Sequence, residues 1–176
     1  AADGEDQYRL KGVATNVQSN GSFTLADWSG STTVFKSTNG VAKGVKNGDI
    51  VTVVGTHDTY NGTVELVGGD VTEVVPTIPV SIAEFLDLPD GDTYYMLTGK
   101  ITKIAEGHYG NVYISDGTGE AYLYGLYPGY GAEGDNRYDF VTNSGLKVGD
   151  EITVIGTHTT YKGTIEMKNA IFVSKK

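Results

Sequence analysis

Tyrosine is the residue type of this chain most suited to ligand contact, and three tyrosines have a spacing that would bring them together. Tyr113 stands between Val112 and Ile114, and Tyr122 and Tyr124 alternate with Ala121 and Leu123. Successive residues of a β-strand point to opposite faces, so the apolar residues would face a core and the three tyrosines would face outward. Such rings can stack on nucleobases or on sugar rings. They can equally serve as cross-strand pairs that stabilise a sheet without a ligand.

Further candidate residues flank these two segments. His108 and Tyr109 lie in a short loop before the first segment, and a glycine-rich and aromatic stretch over 127–140 follows the second. Connections of that length in a compact domain are usually functional or mobile. The predicted ligand-binding residues are therefore Tyr113, Tyr122, Tyr124, His108, Tyr109, Tyr127, Tyr130, Arg137 and, beside a later turn, Tyr161.

The sequence gives little support to catalysis or metal binding. It has no cysteine, which excludes disulfides and thiolate chemistry, and no Gly-x-Ser-x-Gly or zinc-type histidine spacing. Glu133, Asp135 and Asp139 could offer oxygen ligands to calcium, but their spacing does not match an EF-hand loop. His57 and His158 occupy one position of a repeat, which favours a structural role. We therefore expect no enzyme activity, catalytic residue, metal or cofactor.

The repeat determines how the chain is divided. Residues 48–63 return as residues 149–164, with Gly-Asp, Val-x-Gly-Thr-His and x-Gly-Thr at matching places. Each copy is predicted to hold five strands, because short alternating segments are separated by turn residues such as Asn61-Gly62. The predicted strands are 8–17, 22–27, 31–36, 49–58 and 63–74 in the first copy, and 94–105, 111–116, 120–126, 150–160 and 164–173 in the second.

The segment between the copies combines an extended piece with a helix signal. Pro76 and Pro79 predict an extended linker over 76–80. Ser81 with Glu84 three residues on forms a capping-box pattern, which predicts a short helix over 81–88 that ends before Pro89. The domains are therefore predicted as 1–75, a linker over 76–80, and 81–176 with a long insertion between its third and fourth strands.

Five strands in each copy favour a small barrel over a sandwich, which needs about seven strands. The second copy resembles OB-fold domains of the nucleic-acid-binding type in three motifs: Tyr-x-x-x-Gly-x-Ile-x-x-Ile (95–104), Ile-x-Asp-Gly-Thr-Gly (114–119) and Gly-Asp-x-Ile-x-Val-x-Gly (149–156). The resemblance is greatest to tandem OB domains of exported bacterial proteins and lipoproteins. It implies an all-β fold of two tandem five-stranded OB-type barrels, with a short helix at the start of the second. It also implies an exported location: periplasmic, cell-surface or secreted.

The ligand class stays open at this stage. The formal net charge of −9 and the tyrosines favour a non-enzymatic module that binds an oligosaccharide or a protein through the strand 2–3 face of the second barrel. The alternative is a single-stranded nucleic-acid-binding protein, since the second copy is nearly neutral and holds Lys100, Lys103, Arg137, Lys147, Lys162 and Lys168. The two hypotheses differ in whether those cations share a face with the tyrosines. No apolar run approaches the ~20 residues of a membrane-spanning helix.

Overall fold

The alternation of apolar and polar residues buries one face of each strand in both copies. The computed structural model describes residues 3, 4 and 6–176, and in them the chain divides into two compact units, Ala1–Pro76 and Thr77–Lys176. In the first unit, side chains such as Val34, Val53 and Val71 are fully buried. In the second, Leu97, Leu123 and Val154 are fully buried in the same way. Each unit therefore has a hydrophobic core of its own.

The first unit is a closed barrel in which the strands follow the order β1-β2-β3-β5-β4 and β4 pairs back to β1. All pairs are antiparallel except β3 with β5, which are parallel. This strand order fits the OB-type barrel that the sequence predicts. Its strands are β1 Gln7–Thr15, β2 Phe23–Asp27, β3 Gly30–Phe35, β4 Ile50–Tyr60 and β5 Thr63–Val75.

The second unit repeats this barrel and adds to it. The strands β7, β8, β9, β11 and β10 follow the same order, β10 pairs with β7 to close the barrel, and β9 and β11 are parallel. A single 3-10 turn, Gly134–Arg137, lies in the long insertion. The elements of this unit are β6 Thr77–Pro79, α1 Ile82–Leu86, β7 Tyr94–Glu106, β8 Asn111–Ser115, β9 Glu120–Tyr127, α2 Phe140–Asn143, β10 Glu151–Tyr161 and β11 Thr164–Lys175.

A glycine at the same place of β1 and β7 allows the barrel to close. A Cβ atom on Gly99 would lie 2.9 Å from the carbonyl oxygen of Ser115, and one on Gly12 would collide with that of Ala26. Strands that cross at this distance tolerate no side chain between them. Each of these two glycines therefore marks a close approach of two backbones.

Helix α1 begins where its capping-box signal predicts but ends earlier than predicted. The Ser81 hydroxyl accepts a hydrogen bond from the Glu84 N–H, and the Glu84 carboxylate accepts one from the Ser81 N–H at 2.8 Å. Ile82 and Phe85 are fully buried in the barrel core. The helix is shorter than the predicted 81–88, because the chain leaves it at Asp87. The helix thus adds two large side chains to the core of the second barrel.

The turn between β8 and β9 holds the start of α1. The Asp116 carboxylate accepts hydrogen bonds from the Ile82 N–H at 2.9 Å and from the Thr118 hydroxyl. Burial alone would raise the pKa of Asp116, but these hydrogen bonds outweigh it and lower the pKa to about 2. The Asp-Gly-Thr-Gly turn therefore does more than connect two strands: it positions the helix.

The segment predicted as a linker takes part in the second sheet. Residues Thr77–Pro79 form β6, which pairs in parallel with the start of β7. Pro76 and Pro79 are tolerated here because β6 is an edge strand, which needs hydrogen bonds only toward β7.

Among the described residues, no helix is long and apolar enough to cross a membrane.

Candidate functional site

The strands β8 and β9 present the three predicted tyrosines on the outer face of the second barrel. Tyr113 and Tyr122 are direct cross-strand neighbours, with ring centroids 4.8 Å apart, and Tyr124 lies 6.4 Å from Tyr122. Their apolar neighbours are fully buried, as the alternation predicts. Tyr124 is 49% exposed, whereas Tyr113 and Tyr122 are half-buried. We call these three side chains the tyrosine face.

Positive charges border this face. The Lys103 ammonium lies 5.6 Å from the centre of the Tyr113 ring. Lys168 of β11 is the direct neighbour of Tyr124 of β9 and is exposed. The parallel pairing of these two strands, which are far apart in sequence, places this lysine beside the tyrosines.

An open groove of about 410 Å³ continues the tyrosine face at the end of β9. Its walls combine aromatic rings with amide and cationic groups. The lining residues are Tyr109, Asn111, Tyr124, Gly125, Tyr127, Arg137, Tyr138, Lys168 and Asn169.

Arg137 is held in place within this groove. Its guanidinium lies 5.8 Å from the Tyr127 ring centre and 5.1 Å from that of Tyr138, and it donates a hydrogen bond to the Tyr138 hydroxyl at 2.8 Å. The Tyr127 hydroxyl in turn donates to Asn169 Oδ1 at 2.9 Å. The cation is therefore pre-organised between two rings, which reduces the entropy lost when it binds an anion.

The loop between β7 and β8 forms one wall of the groove, and two features fix its shape. Gly110 has φ of +75°, and a Cβ there would lie 2.8 Å from backbone atoms of Leu126. The Glu106 carboxylate accepts hydrogen bonds from the Tyr109 and His108 N–H groups, and these hydrogen bonds lower its pKa. Tyr109 is 52% exposed on this loop and is available for contact.

The long insertion is tied to the same loop through His108. The His108 ring stacks on Tyr138 at 4.8 Å, and its Nδ1 lies 3.0 Å from Asp139 Oδ1. Asp139 has a left-handed backbone (φ of +60°), and its N–H donates to the His108 carbonyl at 2.8 Å. The insertion therefore folds onto the loop and brings Arg137 to the groove.

The remaining predicted residues lie away from the groove. Tyr130 is half-buried in the insertion and does not line the groove. Tyr161 is 59% exposed at the end of β10, with the Lys162 ammonium 5.2 Å from its ring centre. Because β11 and β9 are parallel, the turn after Tyr161 adjoins the start of β9, at the opposite end of the tyrosine face from the groove.

Sequence reasoning missed four residues of this region: Asn111, Tyr138, Asn169 and Glu166. Glu166 stands on β11 immediately before Met167, which pairs with Leu123, so it lies beside Tyr122. It is only 6% exposed, and burial raises its pKa. Strand alternation could have placed Glu166 on the outer face, but nothing in the sequence indicates that its neighbours cover it.

The duplicated histidines are not among the residues that line the groove. His158 is 2% exposed, packs 5.0 Å from the Phe85 ring centre, and its Nδ1 is hydrogen-bonded to Asp90 at 2.9 Å. In the first unit, His57 Nδ1 lies 2.8 Å from Asp3 Oδ1, outside hydrogen-bond geometry. Among residues 3, 4 and 6–176, no group of three or more histidine and acidic side chains is arranged to hold a metal ion.

Comparison with known proteins adds little to this description. No protein-family model matches the sequence, and no curated protein does. Solved structures that match over nearly the full length include a murine DNA-binding protein bound with double-stranded DNA, at 15% identity over 98% of each chain with a TM-score of 0.39. Others are the tetrameric p202 HIN2 (13% identity, 99% of this chain and 98% of that one, TM-score 0.40) and the p204 HINb domain (14%, 97% of each chain, 0.41). At this low similarity the description of the fold rests on strand order and pairing, and the origin in an exported bacterial protein stays a prediction.

Proposed function

We propose that the second barrel binds single-stranded nucleic acid across the tyrosine face and the groove. The observation that carries this proposal is that Lys103, Arg137 and Lys168 share their surface with the three tyrosines. Bases would stack on the rings while the cations neutralise backbone phosphates, which is the combination that sequence-tolerant single-strand binding requires.

The positive charges favour single-stranded nucleic acid over the oligosaccharide or protein ligand that the composition favours. Oligosaccharides and protein segments can use tyrosine rings and hydroxyls, but they need no row of positive charges. Lys168 forms no salt bridge with any described residue and is exposed, so it can contact a ligand, although its charge also lowers the pKa of the neighbouring Glu166. The other three basic residues lie elsewhere. Lys100 of β7 is the direct neighbour of Glu151 of β10, Lys147 precedes β10, and Lys162 follows Tyr161 in the turn after β10.

The net charge of −9 does not oppose this proposal. Charges farther apart than about 8 Å are largely screened at physiological salt. The local surface then decides binding, and the residues from 94 onward carry eight basic against nine acidic side chains. Overall acidity would slow association at low salt more than it would weaken the bound state.

A titration at two salt concentrations tests the proposal. The protein is mixed with a fluorescent oligothymidylate of about twelve nucleotides, within the site size of an OB fold, and with a panel of oligosaccharides. We expect the oligonucleotide to bind and to be released by added salt, because phosphate contacts release counterions. Salt-insensitive binding of an oligosaccharide, with no oligonucleotide binding, would refute the proposal.

A double variant locates the site. Tyr122→Ala with Tyr124→Ala should weaken oligonucleotide binding by about 1–3 kcal/mol for each base that loses its stacking partner. The matched control is Thr33→Ala with Phe35→Ala, at the corresponding places of β3 in the first barrel. Equal effects of the two double variants would show that the tyrosine face is not the site.

A further inference from the structure

Glu166 is a carboxylate without a hydrogen-bond partner at the edge of the tyrosine face. It is 6% exposed, and no residue in the described part of the chain donates a hydrogen bond to it. Burial raises its pKa, although the charge of Lys168 partly opposes the rise. Buried polar groups are nearly always hydrogen-bonded, because an unpaired one loses its hydration without compensation. The Glu166 oxygens are not fully enclosed, so they can accept hydrogen bonds from a ligand that lies on the outer face.

The strand pairing fixes where that donor would have to be. Ile165 and Met167 point toward the core, so Glu166 points to the outer face. The first barrel has the same arrangement, since Glu65 of β5 is the direct partner of Thr33 of β3. In the second barrel a tyrosine takes the place of that threonine. The negative charge of Glu166 contributes, after burial and Tyr113, to the raised pKa of Tyr122, which places the two side chains close together.

The chemistry of a carboxylate narrows the class of donor. An ionised carboxylate only accepts hydrogen bonds, and its two oxygens can take two parallel donors in one plane. Among the four bases, guanine alone presents two adjacent donors on its Watson–Crick edge, the N1–H and the N2 amino group. The other three bases place an acceptor beside their donor on that edge, and the acceptor would repel the carboxylate.

We propose that Glu166 is a specificity-determining residue that accepts hydrogen bonds from the Watson–Crick edge of a guanine stacked on Tyr122. The inference rests on the proposed function, since it assumes that bases lie on the tyrosine face. Because unstacked single-stranded bases expose this edge, the contact is compatible with single-strand binding. It gives one subsite a base preference within an otherwise sequence-tolerant surface.

The proposed guanine preference is tested first by changing one base of the oligonucleotide. Oligothymidylates of about twelve nucleotides carry a single central guanine, hypoxanthine, adenine or cytosine, and their affinities are measured by fluorescence anisotropy. Hypoxanthine keeps the N1–H and lacks the N2 amino group. We expect the guanine ligand to bind roughly tenfold more tightly than the hypoxanthine ligand, because a hydrogen bond to a charged group is lost.

Variants then assign the preference to Glu166. Glu166→Gln should abolish the preference for guanine, because an amide offers one acceptor and one donor, and it should not weaken the binding of plain oligothymidylate, because it removes a negative charge that repels the acceptors of thymine. Glu65→Gln, the same change in the first barrel, should leave the preference intact. Equal binding of all four ligands by the wild-type protein, or a preference that survives Glu166→Gln, would overturn the inference while the proposed function stands. Absence of any oligonucleotide binding would overturn both.

Discussion

The three cations around the tyrosine face allow the salt dependence of binding to be estimated. Lys103 and Lys168 are exposed beside Tyr113 and Tyr124, and Arg137 lies in the adjoining groove. On a single strand, each neutralised phosphate lowers the logarithm of the affinity by roughly 0.7 for each tenfold rise in salt. Three contacts therefore predict a slope of about −2, and binding should weaken roughly twenty-fold when salt rises from about 50 to about 200 mM.

The perturbation that tests this estimate is the double variant Lys103→Gln with Lys168→Gln. It leaves Arg137 in place, because that side chain also bonds to Tyr138 and its removal would alter the groove. One remaining contact predicts a slope of about −0.7. Fluorescence anisotropy with a labelled oligothymidylate, repeated over a series of salt concentrations, gives the slope directly.

The control is a second double variant that changes the net charge by the same amount in the first unit. Lys43 and Lys46 are exposed in the first unit, so Lys43→Gln with Lys46→Gln should keep a slope of about −2. If both double variants reduce the slope equally, the effect comes from overall charge and not from contacts at the tyrosine face. If the Lys103 and Lys168 variant keeps the wild-type slope, the assignment of these lysines to phosphates is refuted.

Three further predictions concern stability. Glu166→Gln should stabilise the protein at pH 7. The pKa of Glu166 is raised above 4.5 in the folded state, so the wild type loses stability as pH rises from 4.5 through the folded-state pKa. The loss is about 1.4 kcal/mol for each unit between the folded and unfolded pKa values. Urea unfolding should show no gain below pH 4.5; a gain there would contradict the reasoning. Asp116→Ala should cost about 1 kcal/mol at neutral pH, because the exposed carboxylate is partly screened. That difference should vanish as pH falls from 3.8 through about 2, where the wild-type carboxylate protonates; a constant loss would point to packing instead. Gly110→Ala should cost roughly 1–3 kcal/mol in thermal unfolding, because a non-glycine residue is strained there; an unchanged midpoint would show that the loop adapts.

Local patterns predicted most of the scaffold. The alternation around Val112 and Leu123 identified which side chains enter the core, because successive side chains of a strand point to opposite faces of the sheet. The capping box at Ser81 identified the start of α1, because its hydrogen bonds join residues only three apart. Both signals are contained within a few residues of sequence, and the structure confirms both.

The candidate site could be predicted only in part, because its members come from distant segments. Tyr124 and Lys168 meet through the parallel pairing of β9 and β11, and no local pattern specifies that register. Tyr138 reaches the groove because the backbone at Asp139 is left-handed and bonds to the loop at His108. The burial of Glu166 likewise depends on side chains from neighbouring strands.

The two barrels show which positions give the second one its tyrosine face. The pairs Thr33–Glu65 and Phe35–Val67 in the first barrel correspond to Tyr122–Glu166 and Tyr124–Lys168 in the second. The pairing of the backbones is the same, and the residues between these positions stay in the core of each barrel. At these positions the outward side chains differ: a threonine and a phenylalanine of the first barrel are replaced by tyrosines, and a valine is replaced by a lysine. A residue that the two barrels share, such as the glutamate, therefore acquires a binding role only where its neighbours on the outer face supply the stacking rings and the positive charge.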